Sequence, residues 1–168
     1  MALDIAGMVN DSITDGPGIR FVLFLQGCPR SCKGCHNPQT QKIGCGTHCT
    51  SCQILEKIKS NPLLDGVTFS GGEPLIQAKE LLPLAVEIKK LNLNLAIYTG
   101  YTFEELEKVE GAFELLKVAD VLIDGPFVEE LRNYTLKFKG SSNQRIIDLK
   151  QTFKKNEIVL ITDEKWNW

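Results

Sequence analysis

The stretch Gly27-Cys28-Pro29-Arg30-Ser31-Cys32-Lys33-Gly34-Cys35-His36-Asn37 decides how this chain is read. Cys28, Cys32 and Cys35 stand at C-x3-C-x2-C spacing directly after the apolar run 21–25. A buried strand there would deliver three thiols into one tight loop spanning 27–37. Such a loop suits a metal cluster better than a core. A 4Fe-4S cluster takes cysteine thiolates on its irons, and three protein ligands leave one iron for an exogenous ligand, as in open catalytic metal sites. The spacing taken alone also admits a structural zinc site with His36 or His48 as a fourth ligand.

Working outward, 168 residues with 43% apolar content amount to about one domain with its own core, 1–168. The net charge of -2 lacks the basic footprint of a nucleic-acid binder. No apolar run approaches the roughly 20 residues of a spanning helix, and residues 1–10 lack the basic start and apolar middle of a signal peptide. A cytoplasmic protein without nucleic-acid or membrane partners is expected. All six cysteines fall between Cys28 and Cys52, too clustered for a disulfide framework, and this favours metal or redox chemistry.

Asp15-Gly16-Pro17-Gly18-Ile19-Arg20 is a dense turn signal ahead of the strand at 21–25. Thr50-Ser51-Cys52-Gln53 has the form of a capping box, so a helix is expected from near Ser51 to before Pro62. A strand at 67–69 runs into Ser70-Gly71-Gly72-Glu73-Pro74, and Leu81, Leu82, Ala85, Ile88 and Leu91 mark one face of a helix over 78–90. The pattern repeats: a strand at 95–99, helix over 103–116 with a break at Gly111, and a strand at 118–123 ending in Asp124-Gly125-Pro126. Beyond it, 136–138 and 145–147 read as short strands, 158–162 as a final edge strand, and 163–168 as a tail that Trp166 and Trp168 could pin.

Alternating strands and helices predict an α/β fold of about five to six mainly parallel strands with outer helices, bent by right-handed crossovers into an open sheet or barrel segment. Functional residues in such folds gather at strand carboxyl ends, where the cysteine loop, Glu73, Thr99 and Asp124 all fall. Adjacent glycines allow close backbone approach to a ligand, and Glu73 offers an acceptor for an ammonium group. Cys45, Cys49 and Cys52 repeat the C-x3-C-x2-C spacing around His48. An auxiliary iron-sulfur cluster, a zinc site and three reduced thiols are equally open readings of that second group.

The cysteine spacing together with Ser70-Gly71-Gly72-Glu73-Pro74 resembles the radical S-adenosylmethionine (radical SAM) superfamily. Asp15-Gly16-Pro17-Gly18-Ile19-Arg20, Gln26-Gly27-Cys28 and Cys35-His36-Asn37-Pro38 resemble the activating enzymes of glycyl radical enzymes. Tyr98-Thr99-Gly100-Tyr101, Asp124-Gly125-Pro126-Phe127 and Gly140-Ser141-Ser142-Asn143-Gln144-Arg145 narrow the likeness to the activating proteins of anaerobic (class III) ribonucleoside-triphosphate reductases, over roughly residues 4–150.

The resemblance implies a partial (β/α) barrel of the radical SAM type, with Cys28, Cys32 and Cys35 holding a 4Fe-4S cluster whose fourth iron is chelated by S-adenosyl-L-methionine. It implies cofactor contacts from Gly71, Gly72, Glu73, Pro74, His36, Asn37, Thr99 and Asp124. One-electron reduction would cleave SAM to methionine and a 5′-deoxyadenosyl radical, which removes hydrogen from a glycine of the partner reductase. The cofactors carry that chemistry, so no catalytic acid, base or side-chain nucleophile is expected. Reduced flavodoxin or ferredoxin would be the electron donor.

Two positions depart from the wider pattern. Gly34 stands where many members carry an aromatic residue against adenine, with His36 a replacement. Pro126 stands where several relatives carry a lysine for the SAM carboxylate, leaving Arg145 or Lys137 as substitutes. The alternatives are activation of a formate-lyase-type enzyme, a non-catalytic zinc-binding protein, and an electron carrier.

Overall fold

A computed structural model describes residues 2–166. Seven strands form one sheet in the order β3-β1-β2-β4-β5-β6-β7. They are β1 (Ala2–Ser12), β2 (Arg20–Leu25), β3 (Thr47–Thr50), β4 (Gly66–Gly71), β5 (Asn94–Tyr98), β6 (Val121–Asp124) and β7 (Arg145–Asp148). The central pairs β2/β4, β4/β5 and β5/β6 are parallel. The flanking pairs β1/β2, β1/β3 and β6/β7 are antiparallel. The sheet stays open, with β3 and β7 at its edges.

The helices are α1 (Ser51–Lys59), α2 (Ala78–Lys90), α3 (Ala112–Val118) and α4 (Leu149–Lys155). Their starts follow local chemistry. The Thr50 hydroxyl accepts from Gln53 N while Gln53 Oε1 accepts from Thr50 N, the reciprocal pair expected of a capping box. Gly111 takes φ 78°, separating a 3-10 turn over Phe103–Lys108 from α3. Asp148 caps α4 through Gln151 N.

Strand alternation divides the core. Leu23, Leu25, Phe69, Ile97 and Leu122 point to the helices and pack with Ile54, Leu81, Leu84, Ile88 and Leu115. The intervening residues of β5, β6 and β7, Ala96, Val121, Ile123 and Ile146, face the other way and are covered by Trp166. Trp166 is only 7% exposed, its ring meets Phe138 edge-on at 5.6 Å, and the buried Arg20 guanidinium lies 5.6 Å from its centroid. The chain after α4 is led there by Asp148 N donating to Val159 O and Ile161 N donating to Ile146 O.

Several expectations change. There are more strands than five or six, because the antiparallel β1 and the short β3 lacked a readable apolar pattern. Residues 136–138 form turns rather than a strand, with Phe138 at φ 54° so that its ring reaches Trp166. The expected edge strand at 158–162 shrinks to a single bridge between Leu160 and Ile147. Trp166 is pinned as anticipated; Trp168 lies outside the described residues. Among the described residues no helix is long and apolar enough to cross a membrane.

Candidate active site

The parallel strands end together, Leu25 beside Gly71 and Tyr98 beside Ile123, and the loops that follow build a cleft of about 710 Å³. That volume is ordinary for a small-molecule site. Cys28, Cys32 and Cys35 are free, half-buried and all line this cleft. Their loop is pinned by backbone bonds: Gly27 N donates to Thr40 O (2.8 Å), Cys28 N to Gln41 O (2.9 Å) and Cys35 N to Cys32 O (3.2 Å). Gln26 Nε2 donates to Lys42 O (2.7 Å), and Gln77 Nε2 ties Gln26 O to Asp4 O. Burial pushes the Cys28 thiol up, opposed by the Arg30 backbone N–H; a bound metal must therefore displace that proton.

Gly71 and Gly72 make room for the chain's own backbone. A Cβ on Gly72 would collide with the Gly27 carbonyl oxygen and lie 2.8 Å from its carbon and 2.9 Å from Thr40 O. Gly71, at φ 102°, would strike Leu25 backbone at 2.6 Å. Their bareness lets the cysteine loop lie directly on the end of β4, sealed by Glu73 N donating to Gly27 O (2.8 Å).

Glu73 is fully buried. Its carboxylate accepts from Thr99 Oγ1 (2.8 Å), Leu75 N (3.2 Å) and Gly100 N (2.8 Å), so it fastens the end of β4 to the end of β5. Burial raises its pKa from 4.5 to about 7 against the pull of those three donors and the charge of Arg30. Because the folded value exceeds the unfolded one, the folded chain holds this proton more tightly. The resulting stability is complete below pH 4.5, declines between pH 4.5 and about 7, and is gone above. At 1.36 kcal/mol per unit it is worth about 3 kcal/mol. We expect Glu73→Gln, compared with the parent as metal-free chains, to remove this slope from the unfolding free energy measured in denaturant between pH 4.5 and 7.

Of the expected cofactor residues, Gly71, Gly72, Glu73, His36, Asn37 and Thr99 line the cleft. Pro74 and Asp124 do not. Pro74 is buried and opens a 3-10 turn over Pro74–Gln77. Asp124 is also buried, accepting from Phe103 N (2.8 Å) and from Arg145, which forms a fork with Glu104 at 3.0 and 2.8 Å. The Arg145 hydrogen bond holds Glu104 down at about 2. Arg145 is thus spent within the fold, and Lys137 Nζ donates to Glu164 O (3.0 Å). Neither of them lines the cleft.

Lys139 lines the cleft. Arg30, Tyr98, Phe127 and Arg132 also line it. Gly34, at φ 70°, leaves room for Glu129 and Arg132. His36 meets Phe127 with ring centroids 4.8 Å apart and the rings tilted by 50°. Apart from Tyr98, the last residue of β5, these residues sit in loops without periodicity; the advance signal was that Arg30, Tyr98 and Phe127 lie inside the motifs of the resemblance.

The second cysteine group does not converge. Cys49 packs towards the helices beside Leu3, whereas His48, its neighbour on β3, takes the opposite face, and Cys45 and Cys52 are exposed. Among the described residues no three His, Cys, Asp or Glu side chains gather around a single metal ion. The first group fits a larger object: a cubane cluster spaces its thiolates more widely than one ion does, and all three thiols open on one cavity.

Residues 14–147 match a family model described as a 4Fe-4S single cluster domain. The anaerobic ribonucleoside-triphosphate reductase-activating protein of Haemophilus influenzae is 34% identical over 142 residues, 80% of this chain and 90% of that one. Its Escherichia coli K12 counterpart is 32% identical over 146 residues, 82% and 94% of the two chains. The pyruvate formate-lyase-activating enzyme of Listeria monocytogenes is 38% identical over 142 residues, covering 80% of this chain but 56% of that one. Among solved structures, QueE from Escherichia coli shares the fold, with a TM-score of 0.51 and 22% identity over 61% of this chain and 54% of that one. A cluster-domain match over most of the chain and relatives aligned nearly end to end place this chain in the family of anaerobic ribonucleoside-triphosphate reductase-activating proteins.

Proposed function

We propose that this protein is a radical SAM activase that installs a glycyl radical on an anaerobic ribonucleoside-triphosphate reductase. The observation that carries the reading is that Cys28, Cys32 and Cys35 open on the same cleft as Gly71, Gly72 and Glu73. The three thiols hold a 4Fe-4S cluster and leave one iron to SAM. Held there by Cys28, Cys32 and Cys35, such a cluster would supply one-electron reductive cleavage of SAM, the chemistry needed to take a hydrogen atom from the partner's glycine.

The chain's own residues position the substrate. Glu73 fixes the two strand ends between which the methionyl ammonium sits, Lys139 meets the methionyl carboxylate, and His36 on Phe127 borders the adenine. Reduced flavodoxin or ferredoxin serves as electron donor, and the protein works in the cytoplasm.

The test is 5′-deoxyadenosine formation by the anaerobically reconstituted, reduced protein with SAM, iron being counted in the same sample. Product at about four irons per chain, followed by a glycyl radical signal in the reductase by electron paramagnetic resonance, is expected. Full iron loading without product sinks the reading. Lys139→Met should weaken SAM binding about tenfold, the worth of a charge-assisted hydrogen bond of ~1.5 kcal/mol, with iron content unchanged; unaltered affinity by calorimetry would remove Lys139 from the site. The Listeria relative favours a second reading, activation of a formate lyase, which radical formation on that enzyme but not on the reductase would establish.

A further inference from the structure

Among the described residues three that are not glycine take a left-handed backbone: Asn92, Phe138 and Asn156. Asparagine tolerates that conformation, whereas a bulky aromatic residue at φ 54° is strained and keeps it only where its surroundings hold it. Phe138 lines the cleft, and so does Lys139 beside it. The strain is therefore stored in a wall of the candidate site, and the segment after α4 holds it there.

Two contacts tie that segment to the wall. Trp166 meets Phe138 edge-on with ring centroids 5.6 Å apart, and Glu164 O accepts from Lys137 Nζ (3.0 Å). Trp166 is itself fixed by its backbone N–H, which donates to Asp163 O (3.0 Å). On the far side of Lys139, Gly140 fits against two rings: a Cβ there would lie 3.0 Å from both His36 Cε1 and Phe127 Cδ2. Lys139 is thus carried between two constrained neighbours. Trp166 supports a second lining segment as well. The Arg20 guanidinium lies 5.6 Å from its ring centroid, Arg20 Nε donates to Thr68 Oγ1 (2.7 Å), and Thr68 Oγ1 donates to the carbonyl of Asp15 (2.8 Å), a residue that lines the cleft.

We infer that Trp166 is a positioning residue of this site: outside the cleft lining itself, it holds the wall at 138–140 in the conformation that receives SAM. The inference rests on the SAM site proposed above. Without the indole nothing offsets the strain at Phe138, residues 136–140 relax towards ordinary backbone, and Lys139 leaves its place. SAM then binds only the molecules whose wall is in place, and its apparent dissociation constant rises by the reciprocal of their fraction. A wall ordered in about one molecule in ten weakens binding about tenfold. Saturating SAM draws the population back, so turnover at saturation is retained.

The test has two arms. On the metal-free chain, at a temperature where all variants are folded, trypsin should cut Trp166→Ala after Arg132, Lys137 or Lys139 about tenfold faster than the parent, and Trp166→Phe at nearly the parent rate. Mass spectrometry reads which bond is cut first. On anaerobically reconstituted protein, Trp166→Ala should bind iron as the parent does, raise the KM for SAM in 5′-deoxyadenosine formation about tenfold and leave kcat within about twofold. Trp166→Phe, which keeps a ring, should recover most of the KM. Leu115→Ala truncates the core on the helical side of the sheet, so it lowers stability without touching the wall and should leave the KM as it is.

An unchanged KM in iron-loaded Trp166→Ala would overturn the inference. So would an equal rise in Leu115→Ala, because lost stability would then suffice. Should Trp166→Ala fail to fold, Trp166→Leu, which fills the space but offers Phe138 no ring, decides by the same two readings. A parent whose wall resists trypsin but which forms no 5′-deoxyadenosine fails the proposed function. A parent cut at 132–139 as fast as Trp166→Ala fails this inference alone.

Discussion

Cys32→Ala is expected to reduce 5′-deoxyadenosine formation to background while leaving a folded protein. The thiol is half-buried in the cleft and is bonded to no other cysteine, so its loss removes a ligand without opening a core. The turn around it survives, because the bond from Cys35 N to the Cys32 carbonyl belongs to the backbone. With one iron stripped of its thiolate, the cluster is lost or left incomplete. Iron content, circular dichroism and product formation on the same preparation check this, and retained SAM cleavage would overturn the assignment of the loop. Cys49→Ala, by contrast, touches a side chain on β3 that packs towards α1, and cleavage should survive it.

Gly72→Ala should be nearly as damaging by another route. The added methyl would meet backbone atoms, the Gly27 carbonyl and Thr40 O, and backbone cannot swing aside as a long side chain does. Relief requires the cysteine loop to lift from β4, breaking the 2.8 Å bond from Glu73 N to Gly27 O. Overpacking of this kind costs about 3 kcal/mol, or about 10 °C in the unfolding midpoint of a chain this size. Iron binding should fall with it, since the loop carries the thiols. Gly7→Ala makes the same chemical change where nothing lies within 4 Å, and its midpoint should match the parent. Equal midpoints for both variants would mean that the loop does not rest on Gly72.

What could be read in the sequence was local and periodic. The capping box of α1, the apolar face of α2 and the break at Gly111 each depend on residues within a few positions of one another, and each stands where it was expected. The cysteine loop and Gly71-Gly72-Glu73 were legible for the same reason. Their physical purpose was less so: the glycines admit the chain's own backbone, and the Glu73 carboxylate is spent largely on Thr99, Leu75 and Gly100.

Elements defined by distant pairing stayed hidden. β3 is Thr-His-Cys-Thr, four residues with no apolar rhythm, and exists because it pairs with Leu3 and its neighbours on β1. Asp124 sits at a strand end, the usual address of a functional residue, but Arg145 claims it from the next strand. Lys139 reaches the cleft from turns that look like a strand, Leu136-Lys137-Phe138, until Trp166 is known to be waiting for Phe138.

That contact has a consequence for how the protein is made. Synthesis runs from the amino end, and segments fold as they emerge from the ribosome. The cysteine loop emerges well before Trp166. Until it docks, the inner faces of β5, β6 and β7 and the guanidinium of Arg20 stand open to water. A nascent chain therefore displays its thiols beside an unfinished floor, and the compartment that receives iron and SAM is completed only once Trp166 has emerged.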